Sequence, residues 1–220
     1  MTHSVKAIMQ QSLIGLCLLT AGCTGMAMKP YSPPASSNRV TTSKTETAAT
    51  TSSNAKGDPE QRFNAALKLM KDHQTQEAQT AFASLARDFP EFSGPMTDLA
   101  ILYAQSRQRP QAIAGLTKAV ATNPRNAVAW NWLGSLYREG GDYPRAEQAY
   151  QQALTVKPDY AAAHLNLGIL YDVALKRPQD ALSQYREYLK VAGKEDLIVS
   201  AWIKQIEMSA VTTVASGAAP

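Results

Sequence analysis

From Pro59 onward, apolar side chains return three and four residues apart along one stretch, pause at a polar break, and resume along a second. The clearest example passes through Ala127, Trp130, Leu133 and Tyr137, stops at Gly140-Gly141-Asp142, and continues through Tyr143, Ala146, Tyr150 and Ala153 to Pro158. A Gly-Gly-Asp break ends one helix and lets another begin, so the pattern predicts a pair of helices. Pro110, Pro144 and Pro178 stand where second helices start, a position at which a missing N–H costs nothing. Pro124 and Pro158 close their units and prevent successive pairs from fusing. Small residues at Gly134 and Ala146 let the two helices of a pair approach closely.

The pattern returns at one fixed interval, in windows opening at Pro59, Ser93, Ala127 and Ala161. The second window keeps Leu99-Ala100, Tyr103, Ala112, Leu116, Ala119 and Pro124. The first keeps Ala78, Phe82 and Pro90, with Ala65-Ala66 where the third has Leu133-Gly134. The fourth reads His164, Leu167-Gly168 and Tyr171, then requires one inserted residue before Ala181 and Tyr185, and has no closing proline near Gly193. A helical pair cannot cover its apolar face alone, so such units stack into a solenoid with neighbour-only contacts. The expected organisation is all-α: repeats over 59–92, 93–126, 127–160 and 161–195, closed by a helix over 194–208. That helix carries Val199, Trp202, Ile203 and Ile206 on one face and Lys204, Gln205 and Glu207 toward water. Residues 209–220 are mostly small, and are expected to fray.

The run Trp130, Leu133-Gly134, Tyr137, Ala146, Tyr150 and Pro158 resembles the tetratricopeptide repeat and its W-x2-L-G-x2-Y…A-x3-F…P pattern, with Gly168 and Ala181 at matching places in the fourth window. The resemblance implies a right-handed superhelical solenoid of four hairpins plus a capping helix. It also implies a concave binding face lined by the first helix of each repeat. The repeat phase places Phe63, Leu67 and Met70 there, then Thr97, Ile101 and Ala104, then Asn131, Ser135 and Arg138, then Leu165, Ile169 and Asp172. Each set is spaced i, i+4, i+7, one stripe of a helix. Such a groove is apolar at both ends and polar in the middle, which suits an apolar helix or extended segment of another protein. Asn131, Arg138 and Asp172 would fix its backbone or a charged end. Some family members clamp chaperone C-terminal carboxylates with Lys and Asn in the first repeat; Phe63 and Leu67 take those places here and argue against that activity. The rival reading of Phe63 and Leu67 is that they pack against the chain before Pro59 or against a neighbouring molecule.

The segment before Pro59 reads differently. Lys6 is the one charge before the short apolar run Leu13-Ile14-Gly15-Leu16-Cys17-Leu18-Leu19, a segment about half as long as the roughly 20 residues that span a bilayer. A charged start, short apolar centre and small residues mark a secretory signal over 1–22. Thr20-Ala21-Gly22-Cys23 resembles the lipobox of bacterial lipoproteins, although Thr20 stands where Leu is usual. The resemblance implies acylation at Cys23 and, with Thr24 rather than Asp following, the outer membrane, facing the periplasm. Cleavage further on, after Ala27, would instead leave a soluble periplasmic protein. Residues 24–58 hold 13 Ser or Thr and the single aromatic Tyr31, too little apolar surface to offset ordering. Together with Cys23 they read as a tether over 23–58.

Composition narrows the chemistry. Three His and two Cys leave little for a metal centre or disulfide framework. The net charge of +4 is dispersed, with Arg87, Arg125, Arg138 and Arg145 interleaved among Asp88, Glu91, Glu139 and Glu147, which is a solvated surface and no nucleic-acid stripe. His73 lies near an inter-helix break and His164 occupies the register of Trp130, a packing place. No nucleophilic triad or phosphate loop is present. The expectation is therefore a scaffold without enzymatic activity, cofactor, metal or small-molecule substrate, anchored by lipid and holding an envelope protein or peptide. Signal, lipobox, tether and repeats together resemble the small repeat lipoproteins of type IV pilus and related secretion systems, with fewer repeats. The alternatives are an adaptor for cell-wall or lipid-handling enzymes and a lipoprotein with an unrecognised catalytic site.

Overall fold

The computed structural model of the protein describes residues 56–216, and their side chains as far as Ser209. The expected signal, Cys23, the tether up to residue 55 and the last four residues lie outside the described residues. The chain divides into units of residues 1–62 and 63–220. In the first, Asp58 accepts the backbone N–H groups of Glu60 and Gln61 at 3.3 and 3.2 Å, capping the donors that open a helix.

The described residues hold helices and no strand. In chain order these are α1 (Pro59–Lys71), α2 (Thr75–Asp88), α3 (Ser93–Gln105), α4 (Arg109–Thr122), α5 (Ala127–Glu139), α6 (Tyr143–Val156), α7 (Ala161–Ile169), α8 (Pro178–Ala192) and α9 (Leu197–Ser216). Within repeats α3 packs on α4, α5 on α6 and α7 on α8; between repeats α2 meets α3, α4 meets α5 and α6 meets α7, and α9 lies against α8. Among the first helices α3 touches α5 and α5 touches α7, which makes the inner row continuous.

One contact recurs in every repeat. A small residue of the first helix lies against a large one of the second: Ala66 with Phe82, Ala100 with Leu116, Gly134 with Tyr150, Gly168 with Tyr185. A β-carbon on Gly134 would stand 2.6 Å from Tyr150 Cδ1, and one on Gly168 would stand 2.7 Å from Tyr185 Cδ1. Both tyrosines are fully buried. Glycine at 134 and 168 is therefore set by the tyrosine ring it faces, whereas in the second repeat Ala100 is met by Gly115, where an added β-carbon would stand 2.9 Å from the Ala100 β-carbon.

The turn inside each repeat is equally periodic. His73, Arg107, Gly141 and Lys176 all adopt left-handed backbone, with φ of 60°, 59°, 78° and 55°. The following N–H returns to a carbonyl of the first helix: Gln74 to Leu69, Gln108 to Tyr103 and Asp142 to Tyr137, at 2.9, 2.8 and 2.9 Å. This closes the helix end with a Schellman-type bond. In the fourth repeat Arg177 returns to Tyr171, one residue further back, at 2.8 Å. The extra residue is absorbed by a π-helical turn, Leu170–Ala174, that continues α7. A π turn accommodates a single insertion without breaking the helix, which keeps Ala181 and Tyr185 in register.

The end of the chain departs from the expectation. Gly193 is left-handed (φ 62°), and Asp196 Oδ1 caps α9 by accepting the Ile198 and Val199 N–H groups at 3.1 Å each. The terminal helix therefore begins at Leu197 and not at residue 194. It then runs on to Ser216, through most of the segment 209–220 expected to fray, because no Gly or Pro stands between Leu197 and Gly217. Val199, Trp202 and Ile206 are buried against the last repeat, with Trp202 and Tyr185 ring centroids 5.5 Å apart.

Candidate functional site

The first helices form an inner row whose polar side chains bond from repeat to repeat. Asn126 Nδ2 donates to Thr97 Oγ1 at 2.9 Å and to Ser93 Oγ at 3.2 Å, while its Oδ1 caps α5 at the Ala129 N–H, 3.0 Å away. Thr97 Oγ1 donates to the Ser93 carbonyl at 2.8 Å. One repeat on, Asn166 Nδ2 donates to Asn131 Oδ1 at 3.0 Å. Tyr150 OH donates to Ser135 Oγ at 3.1 Å, and Arg138 Nε donates to Tyr150 OH at 3.4 Å. In the matching place of the fourth repeat Tyr185 OH donates to Asp172 Oδ2 at 3.2 Å. Burial pushes the Tyr150 phenol up, against the lowering effect of the Arg138 charge and the Ser135 hydrogen bond, so it remains a neutral donor.

This geometry divides the predicted stripe. Thr97, Asn131, Ser135 and Ile169 are only 4%, 7%, 8% and 3% exposed. Thr97 and Asn131 belong to the seams between repeats, Ser135 bonds to Tyr150 of its own repeat, and none of the four lines an open groove. For Thr97 and Asn131 the reason is the close approach of neighbouring repeats, which lets short polar groups satisfy one another. Phe63, Leu67 and Met70 are half-buried and packed against the first repeat's core of Ala66, Ala78, Phe82 and Leu85. Ile101, Ala104, Arg138, Leu165 and Asp172 remain half-buried on the inner row. Arg138 Nη2 is buried without a hydrogen-bond partner.

The repeat positions fall as follows. Leu133, Gly134, Ala146, Tyr150, Gly168 and Ala181 are buried. Trp130 and Tyr137 are half-buried at the edge of the central core: the Trp130 indole N–H donates to the Pro124 carbonyl at 2.9 Å, and the Arg145 guanidinium lies 4.5 Å from the Tyr137 ring centroid. Pro158 is exposed after α6. His164, in the Trp130 register, places Nε2 2.9 Å from the Pro158 carbonyl, the equivalent bond one repeat later, and Nδ1 2.8 Å from Gln184 Oε1. The Pro158 backbone carbonyl can only accept, so the Nε2 contact is a donated bond, while Nδ1 meets the side-chain amide of Gln184. Both ring nitrogens are engaged, and His164 performs the indole's structural task. No group of His, Cys, Asp and Glu among the described residues is placed to hold a metal ion.

Three groups were not singled out from the sequence. Arg109, which opens α4, donates to the Leu136 carbonyl near the end of α5, where a cation also complements the helix dipole. Arg177 joins repeats three and four: it reaches Glu147 at 2.9 Å and Asp180 at 2.6 Å while lying 4.5 Å from the Tyr171 centroid. Asp98 is half-buried on α3, and burial pushes its carboxyl up to about 7. The signal for Asp98 and Asn166 was the repeat register itself, since both follow the stripe position by one.

An inner row of helices, joined by seams from repeat to repeat, defines a helical-repeat scaffold for binding other proteins. The sequence profiles that match are those of the TPR repeat, over residues 134–172, and of the tetratricopeptide repeat, over residues 116–148. The chain carries tetratricopeptide repeats. Among solved structures, pilF of Pseudomonas aeruginosa superposes with a TM-score of 0.63 at 20% identity, covering 71% of this chain and 70% of that one. TTC0263, a thermophilic TPR protein in Thermus thermophilus, gives 0.58 at 26% identity, covering 69% and 82%. A probable UDP-N-acetylglucosamine–peptide N-acetylglucosaminyltransferase SPINDLY of Hordeum vulgare is 36% identical over 96 residues, 41% of this chain and 10% of that protein. That likeness covers only the repeats.

Proposed function

We propose that the protein is a lipid-anchored scaffold of the bacterial envelope that holds an apolar segment of a partner protein on the inner row and assists assembly of a pilus or secretion complex. The observation that carries the binding reading is the half-exposure of Ile101 and Leu165 on one face of the first helices, flanked by Arg138 and Asp172. Apolar side chains left toward solvent in a row mark a partner surface. The anchor rests on the sequence Thr20-Ala21-Gly22-Cys23 after a short apolar run, and the pilus assignment on the fold likeness to pilF. No helix among the described residues is long and apolar enough to cross a membrane.

Ile169 is a core residue, so a charge there would test folding; Ile101 and Leu165 are the informative positions. Crosslinking in intact cells followed by pull-down should recover an envelope partner with the wild type and lose it with Ile101→Glu plus Leu165→Glu. Recovery undiminished by both charges rules out the inner row. Cys23→Ser should move the protein from the outer-membrane fraction to the soluble periplasm; unchanged fractionation rules out the anchor.

A further inference from the structure

Asp98, in the second repeat, is a half-buried charge that the scaffold does not use. Gly94, Asp98 and Leu102 are spaced i, i+4, i+8 and so form one flank of α3. Both ends of that flank face the first repeat. A β-carbon on Gly94 would meet the Phe63 ring at 3.6 Å, and Leu102, 2% exposed, is part of the first repeat's apolar cluster. Phe63 is held in place edge-on to Phe82, with centroids 5.8 Å apart at 65°. Asp98 thus lies one turn from Gly94 and from Leu102 on that flank, with Ile101 three residues on and half-buried. The seam between the third and fourth repeats fills the same register with a matched pair, Asn166 to Asn131 at 3.0 Å; counting back two repeats, the corresponding pair is Asp98 and Phe63, and a phenyl ring offers a carboxyl no hydrogen bond. Asp98 has no hydrogen bond or ion pair with any other described residue.

We propose that Asp98 is the specificity determinant of the inner row: it selects, from apolar partner segments, those that carry a lysine or arginine. The inference rests on the inner row being the binding face. A carboxylate left alone on a largely apolar surface is poorly solvated, and a cation brought to it by a partner restores what burial removed. Lysine and arginine suit the place because their aliphatic stems lie along apolar surface while the charged head reaches a carboxylate. A neutral apolar segment covering the same surface would desolvate Asp98 further with nothing in return. An acidic segment would add like-charge repulsion. The same residue therefore attracts one class of segment and rejects two others, which is how specificity is built in addition to affinity.

The test is selection of a random twelve-residue peptide display library on the full chain, in parallel with Asp98→Asn and Ile101→Glu. Asp98→Asn keeps the shape of the side chain and removes its charge. Peptides recovered on the wild type should be apolar with Lys or Arg enriched at one position. Asp98→Asn should recover apolar peptides without that enrichment, and Ile101→Glu should recover neither. Replacing the enriched lysine of a selected peptide by norleucine should weaken binding to the wild type by about tenfold, or about 1.4 kcal/mol, and leave binding to Asp98→Asn within about twofold. Basic enrichment that is absent on the wild type, or that survives Asp98→Asn, overturns the role of Asp98 while apolar selection sensitive to Ile101→Glu keeps the binding face. Selection indifferent to Ile101→Glu, or no selection at all, overturns the face and the proposal with it.

Discussion

The Gly134–Tyr150 contact offers a quantitative check on the packing rule that all four repeats share. In Gly134→Ala the new methyl would lie 2.6 Å from Tyr150 Cδ1 and Cε1 and 2.9 Å from Cγ, so the ring or the helix has to retreat by about 1 Å in a close-packed interior. Overpacking of this kind costs about 1–3 kcal/mol, and the better helix propensity of alanine returns about 1 kcal/mol. The net expectation is a loss of up to about 2 kcal/mol. Tyr150→Leu removes a fully buried ring and its bond to Ser135, at a cost of about 2–4 kcal/mol. The two changes together remove the ring that the new methyl would meet, since Tyr150 Cδ1, Cε1 and Cγ are the atoms nearest a β-carbon at position 134. The double variant should therefore be about 1–2 kcal/mol more stable than the sum of the singles predicts. Urea unfolding followed by circular dichroism measures the cycle. Thermal melts offer a second reading, at about 2–4 °C per kcal/mol for a domain of this size. Gly134→Ala above wild-type stability, or strict additivity in the double variant, would refute the reasoning.

Two further outcomes follow from backbone and charge. Lys176 and Arg107 hold left-handed φ of 55° and 59° where Gly141 holds 78°; Lys176→Gly should raise the stability of the fourth repeat by about 0.5–1 kcal/mol, and a lower melting temperature would contradict the strain. For Asp98 the carboxyl is raised from 3.8 to about 7, so between those values the folded state keeps a proton that the unfolded chain has lost. Stability should therefore fall as pH rises through that window and level off above about pH 7. Discounted for partial exposure, the loss is about 1–2 kcal/mol, and Asp98→Asn should recover it at pH 8 and be neutral near pH 4. A difference between wild type and Asp98→Asn that does not vary with pH would count against it.

Much of the fold was readable in advance because its causes are local. Proline at the start of second helices, a break at Gly140-Gly141-Asp142 and apolar spacing at helical period act within a turn or two of chain. Their recurrence at one fixed interval implies stacking whatever the partner of each face. Even the extra residue of the fourth repeat shows as a slip in register between Tyr171 and Ala181. The inner face was less readable. A stripe at i, i+4, i+7 identifies which residues share a side of one helix and says nothing about how near the next helix comes. That distance decided that Thr97, Asn131, Ser135 and Ile169 are buried while Ile101 and Leu165 keep some exposure.

The sequence by itself determined the class: helix pairs in fourfold phase, each unable to bury its own apolar side, and a small-to-large pairing that is a matter of residue volume. Tertiary structure alone decided the chemistry of the inner row. It gave His164 the indole's hydrogen bond, took up the extra residue in a π turn, carried the last helix to Ser216, and left Asp98 half-buried and unpaired in a register where another repeat has a bonded amide. The physical reason is that exposure, pairing and desolvation are properties of side chains from different repeats meeting in space. Residues 35 apart in sequence, such as Asn131 and Asn166, acquire their roles only when the helices that carry them touch.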